Sequence, residues 1–261
     1  MKKLLLEAIN RVPEVARYLD RDVIQRLEFK SRMSAYKAAP ISRDEMEKRL
    51  ARSISYVEKR YLQIITDNNG AIPFDYWRNY EDELSQAIAS PIRAQIEQSF
   101  TESSEHTAII DKTEATAKID AAVTATIALI AKKITQTTQS QYQSLLQEGV
   151  TGETLIERIA LRFSSGHAEQ IAVTELTRAE GEFSNVLSEM LGEIGLSTQI
   201  RLNTSEDERV CPICGPADGK LKDQMITTSK GGWNGQTWGE RFGNPPFHAN
   251  CRCKTNVELK R

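Results

Sequence analysis

All four cysteines of this 261-residue chain fall between positions 211 and 253, and their spacing restricts what that stretch can become. Cys211-Pro-Ile-Cys214 is a Cys-x2-Cys knuckle, and His248-Ala-Asn-Cys251-Arg-Cys253 follows further along the chain. Zinc asks for four soft or borderline donors in a tetrahedron, with thiolate and imidazole preferred. A Cys-x2-Cys turn offers two thiolates from one end of a hairpin, and a second donor set from a distant segment closes the site. His248 and Cys251 have knuckle-like spacing of their own. Cys253, two residues on, projects to the same side of an extended segment. Five donors thus compete for four positions. Cys211 and Cys214 are the firmest ligands, and the other two come from among His248, Cys251 and Cys253. Two other readings stand beside zinc: a reduced, part-buried thiol cluster without metal, and disulfide pairing, which a reducing cytoplasm disfavours. A site that protein thiolates can saturate serves folding rather than catalysis. Asp207, just before the knuckle, is placed to cap or orient a ligand's backbone.

The same quarter differs in composition from the rest. At 39% hydrophobic and 27% charged residues the chain can bury a core, which excludes collagen-like, disulfide-dense and wholly disordered classes. Half of the glycines and two of the three tryptophans lie among the cysteines. Trp233 and Trp238 sit in a Gly-rich loop expected to cover the metal module. The overall formal charge is −2, but the region from 197 onward is net basic. Lys220, Lys222, Lys230, Arg241 and Arg252 contribute to that excess, and thiolates around zinc would cancel much of it. The charge therefore supports only a weak DNA contact. Met1 to Leu6 imitates a secretory start, but Glu7 and Asn10 end the apolar run. The segment from Ala121 to Ala131 is too short to span a membrane, so the chain reads as a protein of the cytoplasm.

Before the cysteines the pattern is helical. Ser42 and Glu45 make a capping box, after which Met46, Leu50, Ile54, Val57, Tyr61 and Ile64 recur at helical spacing until Asn68-Asn69-Gly70. A second helical region starts near Phe74, with Pro91 expected to mark an offset or a break. A third carries Ile119, Val123, Ile127, Ile130 and Ile134, then turns glutamine-rich. This reads either as a helix extending outside a compact core or as a bundle helix with a solvated end. Gly149-Val-Thr-Gly152 is the expected domain boundary. Two short helices follow, one lined by Leu155, Ile156, Ile159, Ala160 and Phe163 behind a Thr151 cap. The other is lined by Ala172, Leu176, Ala179, Phe183, Val186, Met190 and Ile194, with Gly195 as terminator. Ser197 to Asn203 and Lys254 to Leu259 read as strands, with a tight hairpin at Asp218-Gly219. His106 and His167 are expected in surface or capping roles, and Glu175 with Arg178 as an internal ion pair. The fold class is α+β: a long-helix region over 1–149, then a small helical and short-strand domain over 150–261 with a structural zinc site.

These residues carry a resemblance. Ile156-Glu-Arg-Ile159, Ala172-Val-Thr-Glu-Leu-Thr-Arg-Ala179, Asp207-Glu-Arg-Val-Cys-Pro-Ile-Cys214, a glycine-rich stretch and Pro245-Pro-Phe-His-Ala-Asn-Cys-Arg-Cys253 occur in that order. Together they resemble the phage Mu F-like minor head protein family, also called the phage head morphogenesis family, over roughly residues 150–261. Ala249 stands where the family usually has Pro, and Val173 where it usually has Arg; neither change removes a donor. The resemblance implies a non-enzymatic minor virion component of a tailed double-stranded DNA phage or prophage. It would associate with portal, capsid and scaffold proteins during procapsid assembly in the host cytoplasm, and remain in the head interior or at the portal vertex. Residues 1–149 would then serve as the portal- or capsid-docking part. The rival reading is a zinc-containing HNH-type phage nuclease. It needs a catalytic His beside a metal-binding His/Asn pair, and here His248 is already claimed as a ligand.

Overall fold

The computed structural model describes residues 41–103, 110, 112–204, 214–222, 245–246 and 249–260. The described residues from Arg43 onward fall within one compact unit. Among the described residues there are five α-helices: α1 (Arg43–Asp67), α2 (Tyr76–Glu102), α3 (Lys112–Gln147), α4 (Gly152–Ala160) and α5 (Ser165–Glu193). Two antiparallel strands, β1 (Thr198–Asn203) and β2 (Lys254–Leu259), complete a mostly helical α+β fold. None of these helices is long and apolar enough to cross a membrane.

Helices α1, α2, α3 and α5 pack together, α4 bridges α1 and α3, and the sheet lies on α5. The turn at 149–152 therefore lies inside the compact unit, between helices that share its core. Glycine and asparagine make the stops. Asn69 takes φ 53°, and the Gly70 amide donates back to the Ile65 carbonyl, closing α1. Gly149 and Gly195 take φ 77° and 85° and end α3 and α5 with the same backward bond, from Val150 to Leu145 and from Leu196 to Leu191. Ser164, in extended conformation, caps α5 by accepting the His167 amide. Thr151 has the matching backbone before α4, but its hydroxyl makes no capping bond.

The buried stripe of α1 runs as expected from Met46 to Tyr61 and then takes Ile65 instead of Ile64. Pro91 does not break α2: it lies buried inside a continuous helix. It removes one backbone donor but keeps a helical φ, and tight packing on both sides holds the axis together. On α3, Thr126 is buried rather than Ile127, and Thr135, Thr138 and Tyr142 carry the buried stripe into the glutamine-rich half. This favours the bundle-helix reading of α3, whose 36 residues extend for about 54 Å. Tyr61, Tyr76, Trp77, Tyr80, Tyr142 and Phe163 meet largely edge-on at one end of the bundle. The Tyr142 hydroxyl donates to the Gly70 carbonyl at 2.7 Å, tying α3 to the α1–α2 turn.

Helix α5 is long, not short, and it is buried on two sides. Ala172, Leu176, Ala179 and Phe183 are buried as expected, whereas Leu187 and Leu191 replace Val186 and Ile194. The cause is the sheet, which covers a second face with Ile200, Leu202 and Val257. Short polar pairs fasten it: Ser184 with Thr255 at 2.7 Å and Ser188 with Thr198 at 2.6 Å. Asp218-Gly219 is a turn, but it follows a single 3-10 turn (Gly215–Ala217) and returns the chain beside β1. Leu202 there exchanges backbone bonds with Gly219 and Lys220.

Two glycines make a matched test. A Cβ at Gly70 would sit 3.3 Å from Leu155 Cδ2 in a left-handed conformation, while one at Gly192 meets nothing within 4 Å. Gly70→Ala is expected to destabilise by about 1–2 kcal/mol and Gly192→Ala to stabilise by about 0.5–1 kcal/mol, read from urea midpoints.

Candidate metal centre

Cys214, Cys251 and Cys253 come from two segments 37 residues apart and meet in the interior, each no more than 3% exposed. Their sulfurs all lie within 4.8 Å of one another, and those of Cys214 and Cys251 are 3.9 Å apart. Thiolates on a tetrahedral zinc, at about 2.3 Å each, stand about 3.8 Å from one another. A disulfide would bring the sulfurs to about 2.0 Å. None of the three is joined in a disulfide, so the spacing fits shared coordination rather than pairing. Hydrogen bonding to Cys251 and Cys253, followed by burial, pushes the Cys214 thiol well above its ordinary pKa. Without a cation such a cluster resists ionising, whereas a metal would favour thiolate at every sulfur. The donor set therefore fits a soft or borderline metal ion. Of the other expected site residues, Cys211, His248 and Asp207 lie outside the described residues, as do His106 and the loop with Trp233 and Trp238.

Local backbone chemistry explains how the sulfurs come together. Cys214 precedes the 3-10 turn and its carbonyl accepts the Ala217 amide at 2.9 Å. Asp218 Oδ1 then accepts from both the amide and the hydroxyl of Thr204, at 2.8 and 3.0 Å. These bonds hold its carboxyl below the usual range. On the other segment, Asn250 takes φ 62°, a conformation that asparagine tolerates better than most residues. The strand β2 begins immediately after Cys253.

The cysteine loop is seated on α5 by two threonines. Thr174 Oγ1 accepts the Asn250 amide at 3.0 Å, and Thr177 Oγ1 donates to the Cys251 carbonyl at 2.5 Å. Thr177 also accepts from Arg43 Nη2 at 2.5 Å. Arg43 is held in turn by Glu180 at 2.7 Å and Glu47 at 3.0 Å, and Gln95 donates to Glu180 at 2.8 Å. Burial works against the Arg43 charge, but Glu180 and Glu47 outweigh it and hold the guanidinium pKa above its ordinary value. Arg252, between the two buried cysteines, reaches α1 instead of solvent and pairs with Glu47 at 2.6 Å. Sequence reasoning missed this network, whose only linear signals are the i,i+4 pair Arg43/Glu47 and the i,i+3 pair Thr174/Thr177. Glu175 and Arg178 do pair within α5, at 2.6 Å. Lys222 donates to Asn185 at 2.8 Å, so two of the basic residues counted toward a DNA-facing charge serve internal contacts.

No family model matches the chain, and neither a curated protein sequence nor a solved structure matches it at a significant level.

The Thr177 hydroxyl serves two buried partners, so its loss leaves both unsatisfied. Thr177→Val is expected to cost about 1–3 kcal/mol in urea unfolding, with Thr177→Ser retaining most of the stability.

Proposed function

We propose that this chain is a minor virion protein for head morphogenesis in a tailed double-stranded DNA phage or prophage, with zinc folding its C-terminal module. Cys214, Cys251 and Cys253 would hold the metal, with the fourth donor drawn from Cys211 and His248. The role is assembly rather than catalysis. The protein joins portal, capsid and scaffold proteins during procapsid assembly in the host cytoplasm and stays in the head interior or at the portal vertex. Residues 1–149 supply the docking region and residues 150–261 the Mu F-like domain.

One observation supports the reading above the others. The ending of the resemblance, its most specific part, meets the Thr174-to-Arg178 segment through the Thr174 and Thr177 hydrogen bonds. Residues far apart in sequence thus act as one structural unit, as expected if the motif describes a module built around a metal. The dense cluster of protein thiols leaves little need for a water-bearing open position, which favours a structural ion.

Two measurements test the proposal. Protein purified under reducing conditions is expected to carry about one zinc per chain, and each of Cys214→Ser, Cys251→Ser and Cys253→Ser to lose most of it. Chelation is expected to unfold residues 197–261 first, with much of the helical circular dichroism retained. Metal-free, stably folded protein would sink the zinc assignment. For the assembly role, co-expression with a tailed-phage portal protein, which the resemblance implies is encoded nearby, is expected to give a complex in pull-down. No association, together with metal-dependent DNA cleavage lost in His248→Ala, would instead support the nuclease.

A further inference from the structure

A second polar cluster lies inside the bundle, away from the cysteines. Glu58 of α1 and Tyr80 of α2 are 1% and 0% exposed. Glu58 Oε2, the Tyr80 hydroxyl, Arg162 Nε and His167 Nδ1 are all buried without a hydrogen-bond partner. Native interiors satisfy nearly all such atoms, so four together mark a special site. Arg162, in the turn between α4 and α5, directs Nη1 at His167 Nε2 at 2.5 Å. A guanidinium can only donate, so Nε2 supplies a lone pair and the ring is neutral with its proton on Nδ1. Burial, and then the charge of Arg162, lower the pKa of His167 in the same sense.

Glu58 faces this arrangement from across the core. Arg162 attracts it, but Glu58 Oε2 has no hydrogen-bond partner there. From α2 the facing titratable group is Tyr80, and α3 contributes only the hydroxyl of Thr138, which is not titratable. Arg60 and Glu83, which act on Tyr61, are engaged with each other at 2.5 Å. From the α4–α5 side come Arg162 and His167. Burial raises the Glu58 pKa from 4.5 to about 8, and Arg162 alone opposes it.

We propose that Glu58, Tyr80, Arg162 and His167 form a proton-controlled latch where α1 and α2 meet the α4–α5 turn. With its carboxyl neutral, Glu58 leaves Arg162 on His167. When the proton departs to solvent, the carboxylate draws Arg162 off the imidazole into a direct ion pair, and no covalent bond changes. His167 is also the residue whose amide is capped by Ser164, so the latch acts on the first turn of α5. Two turns further along that helix is Thr174, which holds the cysteine loop.

The sign follows from the raised carboxyl pKa. The stabilisation is fully present below the unfolded value near 4.5 and is lost as pH rises toward and through about 8. The experiment compares urea unfolding of the full chain and its Glu58→Gln variant across that range. Relative to the variant, wild type is expected to lose up to roughly a hundredfold in folding equilibrium constant between about pH 5 and pH 8, the new ion pair with Arg162 recovering part of the cost of the buried charge. In wild type the His167 imidazole resonances should move in the same pH step, and in Glu58→Gln they should not. Parallel stability profiles, or a His167 that ignores the step, would overturn the latch. Should Glu58→Gln fail to fold, infrared spectroscopy of wild type decides. A protonated carboxylic acid band is expected near neutral pH and should vanish in mild alkali. Its absence near neutral pH overturns the proposal.

Discussion

The hydroxyl of Thr177 is the hinge on which the cysteine module and the helical bundle depend. It donates to the Cys251 carbonyl and accepts from Arg43, so one side chain on α5 joins α1 to the cysteine loop. A threonine hydroxyl has one proton and two lone pairs, and here each role has a partner of fixed type: a carbonyl that can only accept and a guanidinium that can only donate. The surrounding ion pairs of Arg43 with Glu47 and Glu180, and of Arg252 with Glu47, make the network largely self-satisfying. Because the network is buried, its members must be present together, since a single loss strands polar groups in a low-dielectric interior.

This arrangement gives α5 a double duty. One side builds the core with α1, α2 and α3, while the other supports β1, β2 and the cysteine loop. An ordinary amphipathic helix has one apolar face and one solvated face. Helix α5 instead keeps apolar residues toward the bundle and uses Thr174, Thr177, Ser184 and Ser188 toward the sheet side. Short hydroxyl side chains allow close approach and still satisfy backbone and side-chain partners there. The sulfurs are thereby held near the spacing a tetrahedral ion requires, on a scaffold set by hydrogen bonds formed outside the coordination sphere.

Much of the fold was legible in the linear pattern. Helical periodicity located the helices, though not the length of α5; glycine and asparagine marked their stops, and alternation identified the first strand. The misses share a physical cause. Ile64, Ile127, Val186 and Ile194 were assigned to the core, but Ile65, Thr126, Leu187 and Leu191 lie deeper. Periodicity identifies a face, whereas the neighbouring elements decide where its centre falls. Pro91 was read as an offset or a break because its local effect is unfavourable, and the helix runs through it unbroken, with Pro91 buried. His167 looked isolated, yet Arg162 reaches it across the local α4–α5 turn, and Glu58, which acts on Arg162, arrives only once α1 has docked.

The cysteine site divides in the same way. Residue type and spacing alone identified a cluster of metal-binding character and the segments that supply it, because thiolate chemistry at short intervals admits few uses. Only the tertiary structure brought Cys214 together with Cys251 and Cys253 and assigned Arg252 to Glu47 instead of solvent. It likewise turned the threonines of α5 into supports for the loop. Sequence carries the donors and the local turns, which depend on neighbours along the chain. Distances between sulfurs, and the partners of a buried charge, depend on how helices pack, and no linear spacing encodes that.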